Sequence, residues 1–159
     1  ACSTGEEPYT LAMIIDDYFG IRKAGWDLRI LATDIDTDVL EKGAKAIYSE
    51  DSVKSLPERW IKNYFIKLPD GNYQVCDKIR KEVVFKQFNL MDKIIYKKPY
   101  DLILCRNVMI YFDVKTKDSL IERFYDVSKN GAYLFIGHAE NISKTTRYSY
   151  VQPAIYHKK

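Results

Sequence analysis

Cysteine and histidine are scarce in this sequence, with three cysteines and two histidines among 159 residues. Cys2, Cys76 and Cys105 are widely spaced, without a C-x-x-C pair or a neighbouring histidine cluster. This spacing predicts neither a zinc site nor a disulfide framework, and we expect no bound metal. The simplest interpretation is a cytoplasmic protein whose cysteines are reduced and pack as small apolar residues.

Long apolar runs and a strong net charge are also missing. No apolar stretch approaches the roughly 20 residues that a membrane-spanning helix needs, and no charged-then-apolar leader resembles a signal peptide. We therefore expect no membrane insertion. The net charge of +3 is too small to imply a nucleic-acid partner by itself. The charge is uneven, however, because residues 54–98 contain 11 Lys and Arg against 5 Asp and Glu.

Four short apolar runs are the clearest structural signal in the chain. Their hydrophobicity is continuous rather than alternating, which is typical of parallel strands covered on both faces by helices. Segments with helical periodicity lie between most of them. This alternation of strand and helix predicts an α/β fold with a mainly parallel sheet. The runs cover residues 28–33, 83–85, 100–105 and 132–136.

Three helices are predicted between these runs. Pro8 fits the first helical position, where its missing N–H has no intrahelical partner, and Gly20 is placed to end that helix. Asp36 or Thr37 can cap the second helix. Asn130-Gly131 provides a left-handed C-terminal cap for the third. The predicted helices cover residues 8–19, 37–46 and 116–129.

Two segments interrupt the alternation. Residues 48–82 are too long for an ordinary connection, and within them the turn residues 69–72 separate two alternating flanks in a hairpin pattern. We interpret 48–82 as an inserted, small antiparallel β-subdomain that also contains a short helix over 56–64. Residues 148–156 predict one final antiparallel strand at the sheet edge, where Pro153 is tolerated.

Polar residues gather where ligands bind in open α/β sheets, beyond the carboxyl ends of strands. The turn before the first helix contains Gly5, which permits close backbone approach, and its two glutamates suit a cationic ligand group. Acids at a helix start also complement the helix dipole, so Glu7 has a purely structural alternative. Asp34 follows the first apolar run and can accept both hydroxyls of a ribose, although a capping role fits its position equally well.

Two further polar clusters follow later strands. Asn89 and Leu90 can place an amide and an apolar side chain against an adenine, but an isolated Asn at a strand end is more often a turn residue. Arg106 and Asn107 end an apolar strand abruptly, and a buried arginine there needs a carboxylate, from either a structural partner or a substrate. Tyr111 is either a core ring or a residue of the site.

These clusters together resemble the chemotaxis receptor methyltransferases, the CheR family. The similarity covers essentially the whole chain, in blocks of four to nine residues with the order and spacing of the family. Gly137-His138-Ala139-Glu140 is similar to the family's Gly-His-Ser-Glu, with Ala139 in place of the serine. The other blocks are ACSTGEEPY at 1–9, ATDID at 32–36 and CRNVMIYFD at 105–113.

The resemblance implies a class I methyltransferase fold, a Rossmann-like sheet with a small inserted antiparallel β-subdomain. It also implies S-adenosylmethionine as cofactor and S-adenosylhomocysteine as product. In such a site Glu7 holds the amino group of the methionine moiety and Asp34 holds the ribose hydroxyls. The same resemblance implies that the cofactor pocket is also lined by Asn89, Leu90, Arg106 and Asn107.

The implied reaction is methylation of glutamate side chains on the cytoplasmic helical region of chemoreceptors. A glutamate carboxylate is already ionised at neutral pH, so the reaction needs alignment and exclusion of water rather than a strong general base. We expect Arg106 to orient the substrate carboxylate and Tyr111 to shape the methyl pocket. His138 is not required as a base.

The family pattern also includes an N-terminal helical domain and a first strand ahead of the block at 3–7, and neither is seen here. We therefore expect these 159 residues to bind the cofactor weakly or not at all. One alternative function is a non-catalytic module whose basic 48–82 segment binds an acidic helical partner. The residues that count against it are intact Glu7, Asp34, Asn107 and Tyr111. A nucleic-acid methyltransferase is the other alternative, but the Asn/Asp-Pro-Pro-aromatic block typical of base-amine methylation is missing.

Overall fold

The computed structural model describes residues 1–23, 25–95 and 98–159. They form two compact units, each with a hydrophobic core of its own. The N-terminal unit is Cys2–Phe88 and the C-terminal unit is Asn89–Lys159. No helix among the described residues is long and apolar enough to cross a membrane.

The N-terminal unit contains a parallel strand pair and a separate antiparallel sheet. Its first and last strands, β1 and β5, pair in parallel with Ile30 opposite Val83 and Asp34 opposite Gln87. In chain order the elements are α1 (Glu6–Phe19), a 3-10 helix (Gly20–Lys23), β1 (Ile30–Asp34), α2 (Thr37–Lys45), β2 (Ile47–Tyr48), α3 (Glu50–Val53), α4 (Glu58–Tyr64), β3 (Phe65–Lys67), β4 (Tyr73–Val75), α5 (Asp77–Arg80) and β5 (Val83–Gln87).

One face of the β1–β5 pair packs against α1 and α2. The ring of Tyr9 lies 5.7 Å from that of Phe85, and the Tyr9 hydroxyl donates to the carbonyl of Gly43 in α2 at 2.9 Å. On the opposite face Leu31 is 45% exposed and Val84 is 49% exposed. Within the N-terminal unit, helices α1 and α2 therefore cover one face of this pair.

The hairpin predicted within 48–82 is present. Strands β3 and β4 pair in antiparallel fashion, with Phe65 opposite Val75 and Lys67 opposite Tyr73. The turn is stabilised because the Asp70 carboxylate accepts the N–H of Asn72 at 3.0 Å. Strand β2 adds to β4 as the third strand, giving the order β2-β4-β3. The predicted short helix corresponds to α4.

The ends of α1 and α2 differ in how closely they follow the sequence expectation. Helix α1 begins at Glu6, because Gly5 adopts a φ of 94° as its N-cap. Pro8 is thus the third helical residue rather than the first, and it is still tolerated because the first four N–H groups have no intrahelical acceptor. Gly20 ends the helix as predicted. The N-cap of α2 is Asp36, whose side chain accepts the N–H groups of Asp38 and Val39.

The C-terminal unit is a four-stranded mixed sheet with one long helix. Its elements are β6 (Tyr100–Cys105), a 3-10 helix (Met109–Tyr111), α6 (Val114–Val127), β7 (Ser128–Ile136), β8 (Ser149–Gln152) and β9 (Ile155–His157). The strand order is β6-β7-β9-β8. Strands β6 and β7 are parallel, whereas β9 is antiparallel to both of its neighbours. The buried side chains of α6 are Leu120, Ile121, Phe124 and Val127, as the helical period predicts.

Two predictions for this unit are wrong in detail. Helix α6 ends at Val127, and Asn130-Gly131 lies inside β7 instead of capping the helix. The positive φ of 83° at Gly131 falls where the β6–β7 register shifts, so this glycine serves a strand irregularity. Residues 148–156 form most of a hairpin rather than a single strand. Pro153 lies in its turn, where it removes no ladder hydrogen bond.

Candidate functional site

The carboxyl end of β1 forms the first part of the candidate site. The carboxylate of Asp34, which is 8% exposed, accepts the backbone N–H of Ser3 through Oδ2 at 2.9 Å and that of Asp36 through Oδ1 at 3.2 Å. The N–H of Cys2 donates to the carbonyl of Thr33 at 2.8 Å. These bonds hold the segment that leads into α1 against the end of β1.

The turn before α1 is closely packed around Gly5. A Cβ atom at this position would lie 3.0 Å from Cζ of Phe85 and 3.2 Å from Cα of Gly43, and the φ of 94° disfavours any side chain. The Tyr48 hydroxyl donates to the carbonyl of Thr4 at 2.8 Å. Burial raises the pKa of Tyr48, so the hydroxyl keeps the proton that it donates. The glycine therefore permits close packing of the turn against the protein itself.

The two glutamates at the start of α1 have different surroundings. Glu6 is exposed and accepts the Thr4 hydroxyl at 2.7 Å. Glu7 is half-buried in the first turn of the helix. The Ser3 hydrogen bond thus joins the end of β1, which carries Asp34, to the segment that leads into the helix carrying Glu7.

Asn89 and Leu90 begin the C-terminal unit. The side-chain Oδ1 of Asn89 accepts the N–H of Met91 at 2.9 Å, and its carbonyl accepts the N–H of Asp92 at 2.9 Å. These hydrogen bonds are those of a turn residue, which is the structural alternative to a role of Asn89 in the cofactor pocket. Leu90 is half-buried and packs against the core of its unit.

The segment after β6 carries the substrate-side candidates. Arg106 and Asn107 are both exposed, which corrects the expectation of a buried arginine at this strand end. Asn107 adopts a φ of 58°, a conformation that asparagine tolerates better than most side chains. Tyr111 lies at the end of the following 3-10 helix with 81% of its surface exposed, so its ring is no part of the core.

Glu140 is a residue of this region that sequence reasoning did not single out. It is 4% exposed, and its carboxylate accepts four backbone N–H groups. Oε1 accepts those of Val108 at 3.0 Å and Ile110 at 3.2 Å. Oε2 accepts those of Asn107 at 3.0 Å and Gly137 at 2.6 Å. The Gly-His-Ala-Glu block therefore holds the segment that follows β6.

Metal ligands are not gathered anywhere in the part of the chain that the structure describes, since it contains no group of three or more His, Cys, Asp and Glu side chains able to hold an ion. His138 is exposed and follows Gly137, whose N–H donates to Glu140. The candidate residues are carboxylates, an arginine and a tyrosine, and they lie in two clusters, one in each unit. One is Glu7 with Asp34, and the other is the Arg106–Tyr111 segment with Glu140.

Comparison with known proteins assigns the chain to a family. The family described as CheR methyltransferase, SAM binding domain, matches residues 1–156. The chain belongs to this family. It is 44% identical over 158 residues to a chemotaxis protein methyltransferase of Borreliella burgdorferi, covering 99% of this chain and 56% of that protein. It is 39% identical over 153 residues to chemotaxis protein methyltransferase 2 of Vibrio cholerae, covering 95% of this chain and 53% of that protein.

The CheR chain thus spans about half the length of the curated relatives that it matches. Among solved structures, a SAM-dependent methyltransferase of Methanosarcina mazei aligns with a TM-score of 0.51 at 16% identity, over 86% of this chain and 48% of that one. A likeness at this identity establishes the fold, which is that of the class I methyltransferases, as the sequence predicted.

The donor set of the N-terminal unit fits the cofactor named in the family description. Each carboxylate oxygen of Asp34 accepts one backbone N–H and keeps a further lone pair, so the side chain can still accept two ribose hydroxyls. Glu7 supplies a half-buried carboxylate suited to an ammonium group. Asn89 lies in the C-terminal unit, and its Oδ1 accepts the Met91 N–H of its own turn.

Proposed function

We propose that the protein carrying this domain is a protein-glutamate O-methyltransferase that acts on chemoreceptors in chemotaxis. Its substrate would be glutamate side chains on the cytoplasmic helical region of those receptors, and its site of action the cytoplasm. The observation that carries the proposal is the family match over residues 1–156, which includes both clusters of candidate residues. The names of the curated relatives support the same activity.

Asp34 and Glu7 are proposed to hold the cofactor. When bound, S-adenosylmethionine supplies a methyl group on a sulfonium and leaves as S-adenosylhomocysteine. Asp34 would accept the ribose hydroxyls in charge-assisted hydrogen bonds, and Glu7 would accept the amino group. Asn89, Leu90, Arg106 and Asn107 are proposed as further residues of the pocket.

Arg106 and Tyr111 are proposed to act on the substrate side. The exposed guanidinium of Arg106 can orient a glutamate carboxylate through two parallel hydrogen bonds. Tyr111 would exclude water and limit the approach to the methyl group. No residue needs to remove a proton, because the carboxylate nucleophile is ionised at neutral pH. The contribution of the protein is orientation, worth on the order of 7–11 kcal/mol in favourable cases.

Transfer of tritiated methyl groups by the full-length natural protein tests this proposal. The acceptors are receptor fragments that contain the cytoplasmic helical region, and matched fragments with alanine in place of the acceptor glutamates serve as the control. We expect labelling of the first set only, with the label released as methanol at alkaline pH, as for a carboxyl ester. A base-stable product, or equal labelling of both sets, would contradict carboxylate methylation.

A further inference from the structure

Residues 107–110 follow β6, and three of their four backbone N–H groups donate to one carboxylate. The donors are the amides of Asn107, Val108 and Ile110, at 3.0, 3.0 and 3.2 Å from the oxygens of Glu140. The amide of Gly137 is the fourth donor, at 2.6 Å. The N–H of Glu140 in turn donates to the carbonyl of Gly137 at 2.9 Å, which closes a tight turn after β7. We call this arrangement the Glu140 clamp.

Burial makes the clamp sensitive to the conformation of the segment. Glu140 is 4% exposed, so water can replace few of its hydrogen bonds. A buried carboxylate without donors is strongly destabilised, whereas bonds from N–H groups to an ionised oxygen are about twice as strong as neutral ones. The four donors are satisfied together only when residues 107–110 keep their present backbone path. The clamp therefore selects one conformation of this segment.

The conformation that the clamp selects is one that the chain would not adopt readily by itself. Asn107 has a φ of 58°, in the left-handed region, and its own N–H is one of the clamped donors. A left-handed residue at this point turns the chain sharply as it leaves β6. Arg106 immediately precedes the clamped amides and Tyr111 immediately follows them, and both side chains are exposed. The backbone between them is fixed while both side chains reach the surface.

We propose that Glu140 is a positioning residue for methyl transfer, which fixes the directions of Arg106 and Tyr111 by holding the amides between them. This proposal rests on the proposed methyltransferase function. Glu140 itself touches no substrate in this scheme, and its carboxylate is fully engaged by the backbone. A displacement of about 1 Å in a group that orients substrate can cost on the order of 100-fold in rate.

Hydrogen exchange of the full-length natural protein measures the clamp without any ligand or turnover. In Glu140→Gln one carboxylate oxygen is replaced by an amide NH₂ that cannot accept. We expect the amides of Asn107, Val108 and Ile110 to exchange roughly tenfold or more faster, since charge-assisted bonds are lost. Glu122→Gln is the matched control, because Glu122 is a 43% exposed carboxylate that pairs with Arg147 in the same unit. It should leave those amides unchanged.

Turnover measurements on the same proteins test positioning. We expect Glu140→Gln to lower kcat roughly 10- to 100-fold at a temperature where both proteins are folded. In a background with Arg106→Ala and Tyr111→Ala, the same substitution should change the residual kcat by less than about threefold, because Glu140 acts through those side chains. A purely structural role would give the same proportional loss in both backgrounds.

Gly137→Ala breaks the clamp from the other side. A Cβ atom there would overlap Oδ1 of Asn107 and lie 2.8 Å from Oε2 of Glu140. If amides exchange faster throughout the Glu140→Gln protein, Gly137→Ala is measured in its place. We expect Gly137→Ala to give the same changes in amide exchange at 107–110 and in kcat.

The outcomes separate the two proposals. An active wild-type protein whose variants exchange faster but keep full kcat overturns the positioning role alone. Unchanged amide exchange in folded Glu140→Gln and Gly137→Ala proteins overturns it as well. A wild-type protein that transfers no methyl group overturns the proposed function and the positioning role with it, and that result requires no variant.

Discussion

The carboxylate of Asp34 accepts the backbone N–H of Ser3 at 2.9 Å, although 31 residues separate the two along the chain. This bond joins the end of β1 to the turn that begins α1. The same carboxylate is the group proposed to hold the ribose hydroxyls of the cofactor. Asp34 would therefore combine a structural contact with the proposed binding role, and its substitution should affect both.

Asp34→Asn should weaken cofactor binding. The amide keeps the size of the side chain but loses the charge and one acceptor, so hydrogen bonds to the ribose become weaker. We expect the Kd for S-adenosylhomocysteine to rise roughly 10- to 100-fold in calorimetric titration of the full-length natural protein.

Asp36→Asn is the matched control for this measurement, two residues along the same loop. Asp36 caps α2, and asparagine caps helices about as well as aspartate. Its Kd should remain within about threefold of the wild-type value. An equal effect of the two substitutions would contradict a ribose-binding role for Asp34.

Arg106→Ala should reduce kcat/KM for the receptor substrate. Because Arg106 is exposed, we expect the free energy of unfolding to change by less than about 0.5 kcal/mol. The loss of a bidentate partner should lower kcat/KM roughly 10- to 100-fold, and Arg106→Lys should recover only part of it. Arg29→Ala, which removes another exposed arginine, is the control. Full activity of Arg106→Ala would remove the orienting role.

Tyr111→Ala should lower kcat about tenfold without destabilising the protein, since 81% of Tyr111 is exposed. Tyr111→Phe keeps the ring that shapes the methyl pocket and should stay close to wild type. Tyr18→Ala, at another tyrosine that is 71% exposed, provides the comparison. Rates of labelled methyl transfer under saturating cofactor measure the effect. If the hydroxyl of Tyr111 were itself required, Tyr111→Phe would be as slow as Tyr111→Ala.

Asp16 provides a pH-dependent contribution to the stability of the N-terminal unit. Its 5% exposed carboxylate lies 2.7 Å from Nζ of Lys78 and 3.6 Å from Nζ of Lys23. Burial opposes ionisation, but the hydrogen bond and charge of Lys78, together with Tyr64 and Lys23, outweigh it and lower the pKa of Asp16. A lowered pKa in the folded state means that ionised Asp16 stabilises the fold above about pH 4 and loses this effect as the pH falls further.

Asp16→Asn should therefore destabilise the protein by about 1–3 kcal/mol at pH 7. The difference from wild type should shrink as the pH falls below about 4, and urea unfolding at both pH values measures it. Asp17→Asn tests the neighbouring carboxylate, which is 35% exposed and pairs with the 66% exposed Arg59. That surface pair should contribute less than about 1 kcal/mol. Equal effects at the two positions would contradict the account.

The sequence predicted the elements whose signals are local. The run at Tyr100–Cys105 is a strand with those bounds, Gly20 ends α1, and the hairpin in the inserted segment has its turn at the predicted residues. Each follows from backbone preference or hydrophobic period within a few residues. The sequence also places Asp34 and Arg106 at strand ends, where the structure has them, because a polar residue directly after an apolar run needs no tertiary knowledge; their roles in the site stay a prediction.

The misses depend on tertiary contacts. The sequence favours a helix cap at Gly131. A positive φ at this glycine is predictable from sequence, whereas its position at a shift in strand register is not. Pro153 lies at a turn that only the pairing of β8 with β9 defines. Glu140 was overlooked as a site residue because its partners are backbone amides at positions 107–110 and 137. Every residue except proline has a backbone N–H, so the sequence does not reveal which residues donate to Glu140.

Because the partners of Glu140 are backbone amides, the backbone path of residues 107–110 is separable from the identity of their side chains. Since the clamp binds only main-chain N–H groups, substituting the side chains of Val108 or Ile110 leaves every one of its four bonds available. At positions 108 and 110 proline, which has no N–H, is incompatible with the clamp. The 49% exposed side chain of Ile110 is thereby free to diverge while the backbone path persists, whereas Val108 also packs against the core of its unit. A library randomised at 110 would accordingly test whether this side chain influences substrate preference while the backbone path stays unchanged.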